Sequence, residues 1–130
     1  MSEFRVACLQ TCTGTTPKDN LTALTSLIKE AAQEGAEFIL TPETCNFMPQ
    51  NKEARCSTMQ SENDDKTVAS FAALAADLKI TLLAGSFILT GDGDKAVNRS
   101  ICFNPLGDVV ARYDKIHLFD VALDNGERHS

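Results

Sequence analysis

The sequence predicts an α/β domain built on a mixed sheet. Three observations carry that reading. Two stretches place apolar residues at helical spacing, one ending near Glu34 and one near Lys79. Short apolar runs precede and follow each of them. Two turn signals near the end, Thr90-Gly-Asp-Gly-Asp94 and Asn104-Pro-Leu-Gly-Asp108, separate further strand-like runs. The resulting order is β-α-β-α-β-β-β. Helical crossovers join parallel strands and tight turns join antiparallel ones, so the sheet should begin parallel and end in hairpins.

Each element follows from local chemistry. Phe4 to Gln10 carries Phe, Val, Ala, Cys and Leu with few polar interruptions and reads as a buried strand. Thr11 to Lys18 is a loop punctuated by Gly14 and Pro17. A helix is expected from Asp19 or Asn20 to about Glu34, capped by that Asp/Asn pair. Its stripe is Leu21, Leu24, Leu27, Ile28, Ala31 and Ala32, and Gly35 is placed to end it. Glu37 to Thr41 is a short strand stopped by Pro42. Asn46 to Asp65 is polar and reads as one long loop, a length often tied to function. A second helix is expected from Asp64 or Asp65 to Lys79, with Val68, Phe71, Leu74, Ala75 and Leu78 on one face. Strands follow at Ile80 to Leu89, Ala96 to Phe103 and Val109 to Tyr113.

The composition narrows the function classes. At 130 residues, 43% hydrophobic and 23% charged, the chain suits one globular domain, 1–130. A net charge of −6 without any Lys/Arg cluster disfavours nucleic acid as a partner. The N-terminus has no basic flank and apolar core of a signal peptide, and the longest apolar run, Ile80 to Leu89, is too short to span a bilayer. A cytoplasmic location and no membrane partner are the expectation. Cys8, Cys12, Cys45, Cys56 and Cys102 are odd in number and irregularly spaced, so they should be reduced thiols rather than a disulfide framework.

Two motifs point to chemistry. Leu40-Thr-Pro-Glu43 and Ala111-Arg-Tyr-Asp-Lys115-Ile-His-Leu-Phe119 each end an apolar run with one charged group. Ligands collect at the carboxyl ends of strands in open α/β sheets. A carboxylate and an ammonium brought together there can act as general base and electrostatic clamp for one nucleophile. Taken singly, each is more often an ordinary exposed charge. With Arg5 to Gln10, the Gly-Ala-Glu-Phe-Ile that precedes Leu40, and Tyr113 to Asp120, they resemble the nitrilase (carbon–nitrogen hydrolase) superfamily, in its Nit-type amidase branch, from residue 4 onward.

That resemblance implies the N-terminal half of a four-layer α-β-β-α sandwich. It also implies an amidase acting on an amide of a small carboxylic acid, through a Cys thioester and without a cofactor. Glu43 corresponds to the general base and Lys115 to the lysine that steadies the tetrahedral intermediate. The family's nucleophilic cysteine follows the lysine motif, and residues 116–130 contain none. The nucleophile is therefore expected outside this chain, and the chain alone is expected to be inactive, a truncated domain. Glu127 stands near a further family glutamate, but its Gly-Glu-Arg-His-Ser context differs. A full-length form is expected to form a homo-oligomer. The alternative is a non-catalytic fragment that binds a partner chain.

Other features are weaker. Cys45 would need its own loop to fold back towards Glu43, Cys8 and Cys102 sit in apolar strands, and Cys12 lies at a strand end. His117 and His129 lack ligand spacing, so no metal is expected. Gly91-Asp-Gly-Asp94 lacks the ligand pattern of a calcium loop, and no phosphate-binding glycine loop occurs. Asn20-Leu-Thr22 and Asn98-Arg-Ser100 match the glycosylation acceptor by chance in a cytoplasmic protein. Phe47 and Met48 either line a substrate pocket or pack ordinarily.

Overall fold

A computed structural model describes residues 3–116, 121–122 and 128–129. The expected element order holds, with one helix added. Strand β1 (Val6–Cys8) leads to helix α1 (Pro17–Gln33), then β2 (Phe38–Leu40), α2 (Lys52–Thr58) and α3 (Lys66–Leu78). Strands β3 (Thr81–Thr90), β4 (Ala96–Phe103) and β5 (Val109–Asp114) complete a five-stranded sheet in the order β1-β2-β3-β4-β5. The first three strands are parallel and the last two antiparallel, as crossover helices and tight turns require. Val121–Ala122 and Arg128–His129 form a separate two-stranded ladder.

The helices cover one face of the sheet. Ile39, Leu82, Ala84, Ile101 and Phe103 alternate along their strands and pack against Leu24 and Ile28 of α1 and Val68, Phe71 and Leu74 of α3. Phe71 meets Phe87 and Phe103 edge-on, with centroids 5.2 and 6.3 Å away. The opposite face is less covered. Val6 and Tyr113 have relative exposures of 53% and 59%, and Phe4 reaches 66%. Phe4 to Gln10 is therefore not the buried strand expected, and Cys8 is exposed. β1 is an edge strand with one face unshielded, and its sequence cannot tell which neighbours are present.

Helix α1 begins earlier than expected. Pro17 occupies its first position, where a missing N–H and a preset φ favour helix initiation. Thr16 is the N-cap without a side-chain bond, so Asp19 and Asn20 lie inside the helix rather than capping it. Asn20 is used instead to bind Gly14 and the Asn46 carbonyl, at 2.9 and 3.0 Å. Gly35, at φ 95°, follows the helix as expected. The long loop is also interrupted by α2, which starts where the Asn51 side chain accepts the Ala54 N–H at 2.7 Å. None of its residues is buried, so it lacks the apolar stripe that identifies a helix by sequence. Helix α3 is capped by Asp65, which accepts the Val68 N–H at 3.0 Å, and ends at Lys79 in the left-handed region.

Candidate active site

The loop bearing Glu43 is laced onto β3 by backbone bonds. Beyond β2, buried Thr41 donates its N–H to the Leu83 carbonyl at 3.0 Å. Between Ala84 and Phe87 the β3–β4 register shifts, leaving Gly85 and Ser86 opposite a single residue of β4. This bulge turns their polar groups towards the loop. Gly85 N–H reaches the Thr41 carbonyl (3.1 Å) and Ser86 N–H the Pro42 carbonyl (3.3 Å). In return, Thr44 N–H donates to Ser86 Oγ (2.7 Å) and Cys45 N–H to the Ser86 carbonyl (2.9 Å). A Cβ on Gly85 would lie 2.3 Å from the Thr41 oxygen and 2.5 Å from Pro42 backbone atoms, so only glycine allows this approach.

The lacing continues past the site. The fully buried Asn46 side chain acts as a strand partner for Ile88, donating to its carbonyl at 2.8 Å and accepting its N–H at 2.9 Å. Phe47 is buried against Met59 and Ile88, whereas Met48 is 47% exposed. Phe47 thus packs as ordinary core, one of the two readings its sequence allowed. Thr44, immediately after Glu43, has φ 48°, a strained setting for a β-branched residue that the surrounding bonds hold in place.

Lys115 arrives from the other side of the sheet. Its backbone N–H donates to the Asn98 carbonyl at 2.9 Å, extending the β4–β5 ladder past Asp114. Lys115 Nζ then meets Glu43 Oε1 at 3.1 Å. Asn98 Nδ2 donates to the same oxygen, also at 3.1 Å. Both described donors to the carboxylate thus converge on Oε1. The side chains of Glu43 and Lys115 are 57% and 40% exposed, so the pair faces open space on the sheet side away from α1 and α3.

The neighbouring residues point to the other face. Arg99 pairs with Asp114 through two bonds of 2.6 and 3.0 Å, and Glu62 bridges Arg99 (3.3 Å) to Arg112 (2.8 Å). Hydrogen bonding from Arg112 and Arg99 lowers the Glu62 carboxyl below its ordinary range, and Arg99 does the same to Asp114. This cluster borders an open groove of about 570 Å³ that includes Thr90, Asp92 and Lys95 but neither Glu43 nor Lys115.

The cysteines divide by burial. Cys45 is fully buried, and burial pushes its thiol up to about 12 despite a hydrogen bond from Thr41. It lines a 340 Å³ cavity with Cys12, Asn20, Leu24 and Leu27, separate from the Glu43 carboxylate. Burial also raises the Cys102 thiol, while Cys8, Cys12 and Cys56 are exposed. Among the described residues no cysteine bonds Glu43 or Lys115, and no His/Cys/Asp/Glu group has the arrangement of a metal site. No described helix is long and apolar enough to cross a membrane. The His117 to Asp120 part of the lysine motif, Glu127 and the His129 side chain lie outside the described residues.

Sequence reasoning singled out Glu43 and Lys115, and they meet. It missed Asn98 and Gly85. The only signal at Asn98 was the accidental Asn-Arg-Ser match, and Gly85 looked like an interruption in an apolar run.

The sequence pattern of carbon–nitrogen hydrolases matches residues 5–130. The chain belongs to the carbon–nitrogen hydrolase family. It is similar to omega-amidase NIT2 of Homo sapiens, 33% identical over 127 residues that make up 93% of this chain and 43% of that protein. It is also similar to deaminated glutathione amidase of Synechocystis sp., 30% identical over 132 residues, 99% of this chain and 47% of that one. These relatives put the chain in the Nit-type branch of the nitrilase superfamily. Its fold matches the C. elegans NitFhit protein with a TM-score of 0.82 at 23% identity, over 95% of this chain and 30% of that one. A Nesterenkonia amidase matches at 0.76 and 25%, over 91% and 45%. The chain spans less than half the length of these proteins, and its sheet and helices are the N-terminal part of the nitrilase fold.

Proposed function

We propose that these residues supply the general base and the electrostatic clamp of an amidase acting on a linear amide of a small carboxylic acid. The observation that carries the reading is the shared oxygen. With Lys115 and Asn98 on Oε1, Glu43 Oε2 has no partner among the described residues and is available to take a proton. Names among the relatives support the substrate class: omega-amidase, deaminated glutathione amidase, and a neighbouring amidase mutant solved in complex with butyramide.

The reaction follows from the charges. Glu43 takes the proton of a thiol, and the thiolate attacks the amide carbonyl carbon. The carbonyl π electrons move to oxygen, and the Lys115 ammonium offsets that developing charge. The intermediate collapses by returning the proton from Glu43 to the departing nitrogen, which leaves as ammonia. Water, deprotonated by Glu43, then adds to the thioester carbonyl; the C–S bond breaks to release the carboxylic acid, and the expelled thiolate takes the proton back from Glu43. The thiol is not one of the five cysteines here. Cys45 is sealed and protonated, and none of the others bonds the Glu43–Lys115 pair. The 130 residues alone are expected to release no ammonia.

In a protein carrying these residues with the second half its relatives have, an amide should leave an acyl-enzyme heavier by the acyl group. Intact-mass spectrometry reads that adduct directly. Glu43→Gln should slow adduct formation by about a thousandfold or more. Adduct formation at the wild-type rate in that variant would remove Glu43 from the role. The whole protein is proposed to be a cytoplasmic homo-oligomer. A non-catalytic partner-binding fragment is the second reading, favoured by the exposed Phe4, Val6 and Tyr113.

A further inference from the structure

We propose that Asn98 is a positioning residue that dictates which oxygen of Glu43 acts as the base. The inference rests on the amidase reading and adds a residue to it.

Three observations converge on Asn98. Its side-chain amide donates to Glu43 Oε1 at 3.1 Å, the oxygen that also takes Lys115. Its backbone carbonyl accepts the Lys115 N–H at 2.9 Å. One residue therefore touches both charged partners, which lie 72 positions apart in sequence. Third, Asn98 Oδ1 is buried and without a hydrogen-bond partner among the described residues. Buried polar atoms are nearly always satisfied, and an exception marks a site where another requirement prevails. Here the requirement is electrostatic. Turning the amide over would set Oδ1 against the Glu43 carboxylate, so the Nδ2-towards-Glu43 orientation is enforced by charge.

A neutral donor suits this task. Glu43 and Lys115 are both substantially exposed, and an exposed ion pair alone has little directional hold. An added cation would bind the carboxylate more tightly and oppose its taking a proton. The amide instead fixes carboxylate rotation and leaves the Glu43–Lys115 charge balance unchanged. With Oε1 held by two donors, Oε2 is the oxygen presented to the thiol.

The test uses a protein carrying these residues with its relatives' second half, and measures ammonia release from butyramide. Asn98→Ala should lower kcat on the order of tenfold or more with little change in KM, because the base is misoriented and not the substrate site. Asn98→Leu keeps the side-chain shape and adds no charge but removes the donor. If Asn98 only fills space, Leu restores activity; if it donates to Oε1, Leu is no better than Ala. Thermal unfolding of both variants separates misfolding from misorientation, and the isosteric Leu variant covers the case in which Ala does not fold. In the 130-residue chain, the Asn98 side-chain amide signals in 15N NMR should shift on Glu43→Ala. Wild-type kcat in Asn98→Ala, rescue by Leu, or amide signals indifferent to Glu43→Ala would each overturn the inference. An unsubstituted protein that releases no ammonia would instead overturn the amidase reading, and the inference with it.

Discussion

Gly85 has no side chain, yet the placement of Glu43 depends on it. Any Cβ there collides with backbone atoms of Thr41 and Pro42, which cannot swing aside as a side chain can. Gly85→Ala should destabilise the fold by about 2 kcal/mol, measured by urea unfolding, and displace Glu43 from Lys115. An unchanged midpoint would show that the loop relaxes freely. The thiols give a second test at this scale. Exposed Cys8, Cys12 and Cys56 should alkylate with iodoacetamide near neutral pH, whereas Cys45 should be protected until the chain unfolds. Rapid native labelling of Cys45, located by peptide mass mapping, would contradict its burial. Glu43 and Lys115 were legible in the sequence because each ends an apolar run in a specific motif. Asn98 and Gly85 were not, because their importance comes from registers between distant strands. A β-bulge at Gly85–Ser86 and the pairing of Asn98 with Lys115 leave no local pattern.

At the scale of elements, the connection between α2 and α3 is fastened to the sheet by charge. Glu62 accepts from both Arg112 and Arg99, and Arg99 also holds Asp114, the residue before Lys115. Glu62 and Asp114 both have folded-state pKa values below their ordinary ones. Their stabilisation is complete above the usual carboxylate range and is lost as pH falls through the lowered values. Asp65 works in the opposite sense, since burial raises its carboxyl and favours the protonated folded state as pH falls. Glu62→Gln should therefore lower stability at pH 7 and flatten the loss on acidification below the ordinary carboxylate range, followed by urea midpoints. Parallel pH profiles for variant and wild type would refute the coupling. Helix α2 escaped the sequence reading because it buries no apolar face, although Asn51 three residues before Ala54 was an available capping signal. The sequence sets the start of α1 too late because Pro17 serves equally as loop punctuation and as a favourable first helical residue.

At the scale of the molecule, the two sheet faces differ. One packs against α1 and α3 around Phe71, Phe87 and Phe103; the other carries the Glu43–Lys115 pair together with exposed Val6 and Tyr113. The order of elements along the chain and the change from parallel to antiparallel pairing were readable from periodicity and turns. The exposure of β1 was not, because an apolar strand has the same sequence whether or not its outer face is covered. Such a face favours association, so sedimentation of the 130-residue chain should depend on concentration. A monodisperse monomer across the accessible range would argue against a partner-binding face.

The most direct test is a double-mutant comparison of ammonia release in a protein that carries these residues with its relatives' second half. Glu43→Gln and Lys115→Ala should each lower turnover by about a thousandfold or more, and the double variant should be little worse than the poorer single one, since groups acting as a unit fail as a unit. Near-wild-type turnover in either single variant, or losses that simply multiply in the double, would contradict a shared catalytic device.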